Sequence, residues 1–362
     1  MRSYRNERPR AEGAPPTHSP RPFHRRLPGY AVSPLVDARA LAAELGVRQA
    51  LVKDESARLG LPSFKILGAS WGTYRALERH IGALGGWKSV EDLRAALRHH
   101  LPLSLAAATD GNHGRAVARM ARLLGLGARI FVPAGTAPAR TEAIASEGAA
   151  CTVVDGTYED AVARAAEEAG DDCLVISDTS WPGYEDVPRW VIDGYSTIFD
   201  ELDEQLESPP DVVAIQVGVG ALAAAAVRHF RRAPGAPTMV AVEPERAACV
   251  LASVEAGDIV TVPGPHDSIM AGLNCGTPSF VAWPDVRAGF DLYLAVPDEG
   301  ARGAMRALAR DGIVAGETGA AGAAGVIEAA RAGVFDLPSD ATVLLLSTEG
   351  ATDPAAYRRI VG

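Results

Sequence analysis

From about residue 47 onward, short β-branched or apolar runs alternate with stretches whose apolar residues recur at helical spacing. This alternation constrains the fold more than any other feature, because parallel strands must be joined by crossovers and helices are the usual crossover. Residues 103–108 (LSLAAA) read as a strand that feeds a helix from about 112 to 125, where Ala116, Val117, Met120, Ala121, Leu123 and Leu124 share helical spacing until Gly125 and Gly127 end it. A strand near 128–132, a helix near 138–147, a strand at 150–154, a helix at 158–169 and a strand at 173–176 follow. A second series begins at Val212–Val217, passes through Gly218-Val219-Gly220 into the helix Ala221–Arg231, and continues with the strand Met239–Val242. Thr342–Leu346 is apolar almost throughout, as expected of a strand covered on both faces, and a last helix follows it. The Gly/Pro-rich stretch 262–278 reads as a site loop rather than a domain boundary. At 362 residues the chain has length for two domains.

Several function classes are excluded by composition. A net charge of -10 gives no positive field for nucleic acid or an anionic membrane surface. The longest uncharged run, Ser268–Pro284, holds 17 residues and the more apolar run Val212–Val227 holds 16, whereas a membrane span needs about 20. Cys151, Cys173, Cys249 and Cys275 show neither C-x-x-C nor His/Cys spacing, which predicts no metal site, no disulfide framework and a reducing, cytoplasmic setting. Residues 1 to 25 are rich in Arg and Pro, have no apolar face and read as a flexible arm. Arg25 and Arg26 precede Leu27 and Pro28 rather than an unbroken apolar stretch, which predicts no secretory signal.

Only three of the 35 basic residues are lysines. Lys53, in Val52-Lys53-Asp54-Glu55-Ser56, and Lys88, in a glycine-rich connection, both read as solvated. Lys65 lies in Ser63-Phe64-Lys65-Ile66-Leu67-Gly68, with Ser63 as a natural N-cap and Lys65 in the first helical turn. A cation there is opposed by the helix dipole and by apolar neighbours, which favours the neutral, nucleophilic amine. A surface lysine on an amphipathic helix is the competing reading. A second candidate, Thr109-Asp110-Gly111-Asn112-His113-Gly114, sits at a strand-to-helix turn, where α/β sheets bind ligands and where an Asp also serves as a plain N-cap. A third, Gln216 to Ala223, carries glycines that bring backbone N–H groups to a phosphate. It also satisfies G-x-G-x-x-A through Gly218, Gly220 and Ala223, with Glu243 at the end of the next strand, so the pattern equally supports an NAD(P) oxidoreductase.

Together these motifs resemble the fold-type II pyridoxal-phosphate enzymes, the tryptophan synthase β and threonine dehydratase group. Ser63-Phe64-Lys65 is similar to the group's Schiff-base motif, Gly111-Asn112-His113 to its asparagine loop, Gly218 to Leu222 to its phosphate loop, and Ser347 to the hydroxyl that faces the pyridine nitrogen. Within the group the chain is most similar to the diaminopropionate ammonia-lyase branch. The likeness is carried by Gly29-Tyr30 with Pro34-Leu35, Lys53-Asp54-Glu55-Ser56, Asp178-Thr179-Ser180-Trp181, Ser268 to Gly276 (SIMAGLNCG), Gly316-Glu317-Thr318-Gly319 and Ser347-Thr348-Glu349-Gly350. It departs from the branch at Ser33, where Thr is expected, and at Ala351, where an acidic residue is common.

The resemblance implies a two-domain α/β fold of the tryptophan synthase β type, with parallel sheets flanked by helices and pyridoxal 5'-phosphate between the domains. Residues 26–75 and 191–362 would form the large domain and 76–190 the small one. It implies Lys65 as the lysine holding the cofactor and as an ammonium able to protonate the departing amine. Asp110, where dehydratases of the group carry Ser, and Asp178 would be bases for opposite enantiomers. Asn112, Gly218, Val219, Gly220, Ala221, Leu222 and Ser347 would contact the cofactor, with Phe64, Thr109, His113, Glu317 and Thr348 around them. The implied reaction is α,β-elimination of 2,3-diaminopropionate to pyruvate and ammonia by a homodimer acting on a small amino acid. A serine, threonine or hydroxyaspartate dehydratase and a β-replacement enzyme use the same constellation with another substrate. A non-catalytic scaffold would not need Lys65 with both aspartates. A close approach of Cys249 and Cys275 at the pocket is set against two buried reduced thiols.

Overall fold

The computed structural model describes residues 1–7, 13–109, 111–232 and 235–362. Among the described residues the strands are β1 (Arg2–Arg5), β2 (Leu35–Asp37), β3 (Gln49–Asp54), β4 (Ser104–Ala108), β5 (Gly127–Pro133), β6 (Ala150–Val154), β7 (Cys173–Val175), β8 (Val212–Gln216), β9 (Thr238–Pro244), β10 (Leu292–Val296) and β11 (Thr342–Ser347). They form a seven-stranded sheet of order β1-β10-β9-β8-β11-β3-β2 and a four-stranded sheet of order β6-β5-β4-β7. The small sheet is parallel throughout, and the large one is parallel except at its two edges, β1 and β2.

The apolar runs explain why the large sheet is central. On β11, Leu344 and Leu346 enter one hydrophobic cluster while Val343 and Leu345 enter another on the opposite face. On β8, Val213 and Ile215 divide from Val212 and Ala214 in the same way. Strands buried on both faces have no reason to alternate with polar residues, which is what the sequence displays. Among the described residues no helix is long and apolar enough to cross a membrane.

Two expectations need correction. Part of the arm expected to be flexible is built in: β1 pairs antiparallel with β10, and the short helix Arg21–His24 buries Phe23 and His24. The sheet edge supplies unpaired backbone groups for the first, and an aromatic cluster with Trp71, Tyr74 and Trp87 holds Phe23. The other concerns the domain limits. All four strands of the small sheet fall within 76–190, but the limits at 75/76 and 190/191 cut through the continuous helices Lys65–Ile81 and Asp186–Gln205. These helices pack on each other through glycines: a Cβ on Gly68 would lie 2.5 Å from the Tyr195 ring, and one on Gly194 would lie 2.6 Å from the Leu67 carbonyl oxygen. His24 sits between them, with Nε2 3.0 Å from the Leu67 oxygen and Nδ1 2.8 Å from Thr197 Oγ1. The helix that begins at Lys65 is therefore clamped along its first turns.

Candidate active site

The C-terminal ends of β4, β8 and β11 and the start of the helix Lys65–Ile81 open on one cleft. It is lined by Phe64, Lys65, Thr109, Asn112, His113, Asp178, the whole stretch Gln216–Ala223, Thr348 and others named below. This is the end of a parallel sheet at which α/β folds bind ligands. Asp110 lies outside the described residues.

Lys65 is the first residue of its helix, and Ser63 does not cap it: the N-cap is Phe64, in helical geometry and with no side-chain cap bond. The backbone of Ser63 is engaged elsewhere, in a bridge with Glu349, while Phe64 N donates to Thr348 O and Gly350 N to Pro62 O. Segments 62–64 and 348–350 thus run side by side, which carries Lys65 to the end of β11. Its Nζ lies 2.6 Å from Asp178 Oδ2, so the amine expected to be neutral has a carboxylate beside it. Burial pushes the Asp178 carboxyl up, but the nearby His113 ring and Lys65 ammonium outweigh it and hold the group well below the usual carboxylate range. His113 is buried, which pushes its own pKa down. Its Nε2 is 2.7 Å from the Ile176 carbonyl oxygen and its Nδ1 3.8 Å from Asp178. Tyr158, to which no sequence signal pointed, donates its hydroxyl to Asp178 Oδ1 at 3.5 Å.

Gly220, with φ +101°, turns the chain into the helix Ala221–Phe230, so the loop's amides precede a helix N-terminus. A Cβ on Gly218 would lie 3.2 Å from Gly272 O and 3.4 Å from Cys275 Sγ. Gly272, Leu273 and Cys275 line the cleft, so the stretch 262–278 is a site loop as its composition suggests. Cys249 and Cys275 are both buried near Gly218 and form no disulfide: the Cys249 thiol is 3.9 Å from the Gly218 oxygen.

The remaining residues divide. Thr109 Oγ1 accepts from Gly111 N at 2.8 Å and shapes the turn. Asn112 donates its amide to Glu349, a residue of the Ser-Thr-Glu-Gly motif to which the sequence assigns no role. Thr318 and Gln216 also line the cleft. Gln216 Nε2 donates to Thr348 Oγ1 and to the carbonyls of Thr318, Gly319 and Leu346, while its Oε1 has no partner. Glu317 and Ser347 are buried beside the cleft rather than lining it. The dinucleotide reading fails on Glu243. That carboxylate is fully buried and accepts from Val250 N and Leu251 N at the start of the helix Cys249–Ala256, and burial pushes its pKa up to about 8. It cannot reach a ribose.

These residues suit pyridoxal phosphate. A lysine stands at one wall, a glycine loop heads a helix, and Ser347 Oγ is buried at the end of β11 without a hydrogen-bond partner. The family model described as "Pyridoxal-phosphate dependent enzyme" matches residues 26–349. The chain belongs to the pyridoxal-phosphate dependent enzyme family. Within that family it is 37% identical over 360 residues to the diaminopropionate ammonia-lyase of Escherichia coli K12, covering 94% of this chain and 90% of that protein. It is equally 37% identical, over 368 residues, to the diaminopropionate ammonia-lyase of Salmonella typhimurium LT2, with the same coverages. The crystal structure of the E. coli enzyme in complex with D-serine superposes with a TM-score of 0.91 at 34% identity, covering 99% of this chain and 96% of that one.

Proposed function

We propose that this pyridoxal-phosphate enzyme is an ammonia-lyase that converts 2,3-diaminopropionate and water into pyruvate and two molecules of ammonia by α,β-elimination. What supports the reading most is the Lys65–Asp178 contact at 2.6 Å in the cleft, in a chain similar over 94% of its length to named diaminopropionate ammonia-lyases. When bound, pyridoxal phosphate supplies the electron sink that lets a Cα proton leave. Lys65 would hold it, the N–H groups of Gly218 to Leu222 would bind its phosphate, and Asn112 and the neutral Ser347 hydroxyl would bond its ring substituent and ring nitrogen. Asp178, ionised and aimed at Lys65, serves as a base for a Cα proton presented on its side of the cleft. Asp110 serves, by the resemblance, as the base for the opposite enantiomer. Phe64 and Thr109 help wall the reacting carbon from water.

The reading is tested by assaying pyruvate and ammonia from both enantiomers of 2,3-diaminopropionate beside serine, threonine and hydroxyaspartate. Turnover of 2,3-diaminopropionate at least about tenfold above the others is expected, and a preference for a hydroxy amino acid overturns it. Losing a general base typically costs about 10²- to 10⁴-fold. Asp178→Asn is accordingly expected to lose that much on one enantiomer and little on the other, and equal losses on both would refute the division of labour.

At Gly220 any L side chain is strained by about 1–2 kcal/mol, because its φ is positive. Gly220→Ala is therefore expected to weaken pyridoxal phosphate binding by about tenfold, read by titrating apoenzyme with the cofactor. We further propose a cytoplasmic homodimer: four cysteines with neither C-x-x-C nor His/Cys spacing fit a reducing compartment, and light scattering gives the mass.

A further inference from the structure

Two carboxylates among the described residues line the cleft, Asp178 and Glu349. Asp178 has Lys65. Glu349 has no such partner: it is 1% exposed, Asn112 donates an amide to its Oε2, Thr318 N donates to Oε1 at 3.3 Å, and no ion pair among the described residues includes it. A carboxylate withdrawn from water and met only by neutral donors is under-compensated, and a cation beside it recovers much of the lost solvation. Its surroundings favour a cation further. Glu317 lies near enough that, after burial, the Glu349 charge helps to push its carboxyl up.

We propose that Glu349 is the residue that determines specificity for the leaving group, by binding the β-ammonium of the substrate. The inference rests on the lyase reading above and adds the reason why a β-amino acid is chosen over a β-hydroxy acid. In the elimination the Cα proton passes to a carboxylate base, its electron pair forms the Cα–Cβ double bond, and the Cβ–N pair leaves with the nitrogen. A β-nitrogen held as an ammonium already carries its proton and departs as neutral ammonia. A β-hydroxyl must take a proton from an acid to leave as water, and a carboxylate that acts as the acceptor for an ammonium has none to give. The same carboxylate thus favours one leaving group and withholds help from the other.

The test compares 2,3-diaminopropionate with 3-chloroalanine, which eliminates chloride and has no β-ammonium, on holoenzyme of the wild type and of Glu349→Gln. Loss of a charged hydrogen bond is expected to raise KM about 10- to 100-fold when the substrate is 2,3-diaminopropionate. With 3-chloroalanine KM is expected to stay within about twofold, and the visible absorbance of the bound cofactor, which reports loading without turnover, is expected to match wild type. Equal changes with the two substrates, or none with 2,3-diaminopropionate, overturn the proposal while leaving the lyase reading intact. A wild type that releases no pyruvate from 2,3-diaminopropionate overturns both. Should Glu349→Gln not retain the cofactor, Glu349→Asp keeps the charge but shortens its reach. That variant is expected to bind the diamino substrate more weakly while handling 3-chloroalanine as wild type does, and a parallel rise in KM with 3-chloroalanine overturns the proposal.

Discussion

Replacing Lys65 with alanine is expected to reduce pyruvate formation by at least about 10³-fold and to remove the visible absorbance of bound pyridoxal phosphate, since no other group in the cleft can take its part. The other two lysines are unavailable for physical reasons. Lys88 is exposed, and Lys53 is fully buried, its Nζ bonded to Glu201, Gln205 and the Ser33 carbonyl. Loss of Lys65 also takes from Asp178 the cation nearest to it, and burial, no longer opposed by that charge, then shifts the carboxyl upward. The lesion is therefore double, in the cofactor's anchor and in the base. Lys65→Arg separates the two, because a guanidinium keeps a cation against Asp178 but is never a useful nucleophile. Both variants should be inactive, with the arginine variant the more stable to heat. A coupled pyruvate assay with an absorbance scan decides it, and a Lys65→Ala enzyme retaining a tenth of the wild-type rate would remove Lys65 from the centre of the chemistry.

How much of this could be read in the sequence depends on how far apart the partners lie. The strands of the central sheet were legible because burial on both faces leaves runs such as Thr342–Leu346 and Val212–Val217 with no alternation to misread. The observed strands begin and end within a residue or two of those runs. The cleft was legible because Lys65, Thr109, Asn112 and the glycine loop occupy strand ends and helix starts, which a parallel fold must bring to one edge. Partnerships over long separations were not legible. Lys53 sits among charges in sequence and reads as solvated, yet burial pushes its pKa down and its carboxylate partner is 148 residues away on the helix Asp186–Gln205. Glu243 has the spacing of a ribose ligand, and only its orientation reveals a helix cap. The same holds for Ser63, whose cap-like position yields to backbone pairing with the end of β11.

Removing Glu201 is expected to cost the fold about 3–5 kcal/mol, the typical penalty for leaving buried partners of an ion network uncompensated. Glu201 accepts from both terminal nitrogens of Arg58 at 2.8 Å, from Lys53 Nζ at 2.9 Å and from the Tyr30 hydroxyl at 2.8 Å, and its side chain has no exposure. Glu55 remains to hold Arg58 in a Glu201→Ala variant, but Lys53 would lose the one carboxylate it bonds among the described residues. Glu44→Ala is the control: its arginine partners, Arg310 and Arg331, are exposed, and such surface pairs contribute about 0–1 kcal/mol. Urea unfolding at neutral pH should separate the two variants clearly, and equal losses would mean the network contributes nothing special. Acid provides a second measure with a definite sign. The Glu201 carboxyl is pushed up by burial but held down to about 2 by Arg58 and Lys53, so its contribution is complete above about 4.5 and fades as pH falls toward about 2. Burial lowers His24 to about 3, so the unfolded chain binds a proton there that the folded chain refuses, and stability declines as pH falls from about 6.5 toward about 3. Wild-type stability should therefore decline gently below about pH 6.5 and more steeply below about 4.5. In Glu201→Gln the steeper component should shrink while the gentler one persists, because the packed helices that exclude water from His24 are left in place.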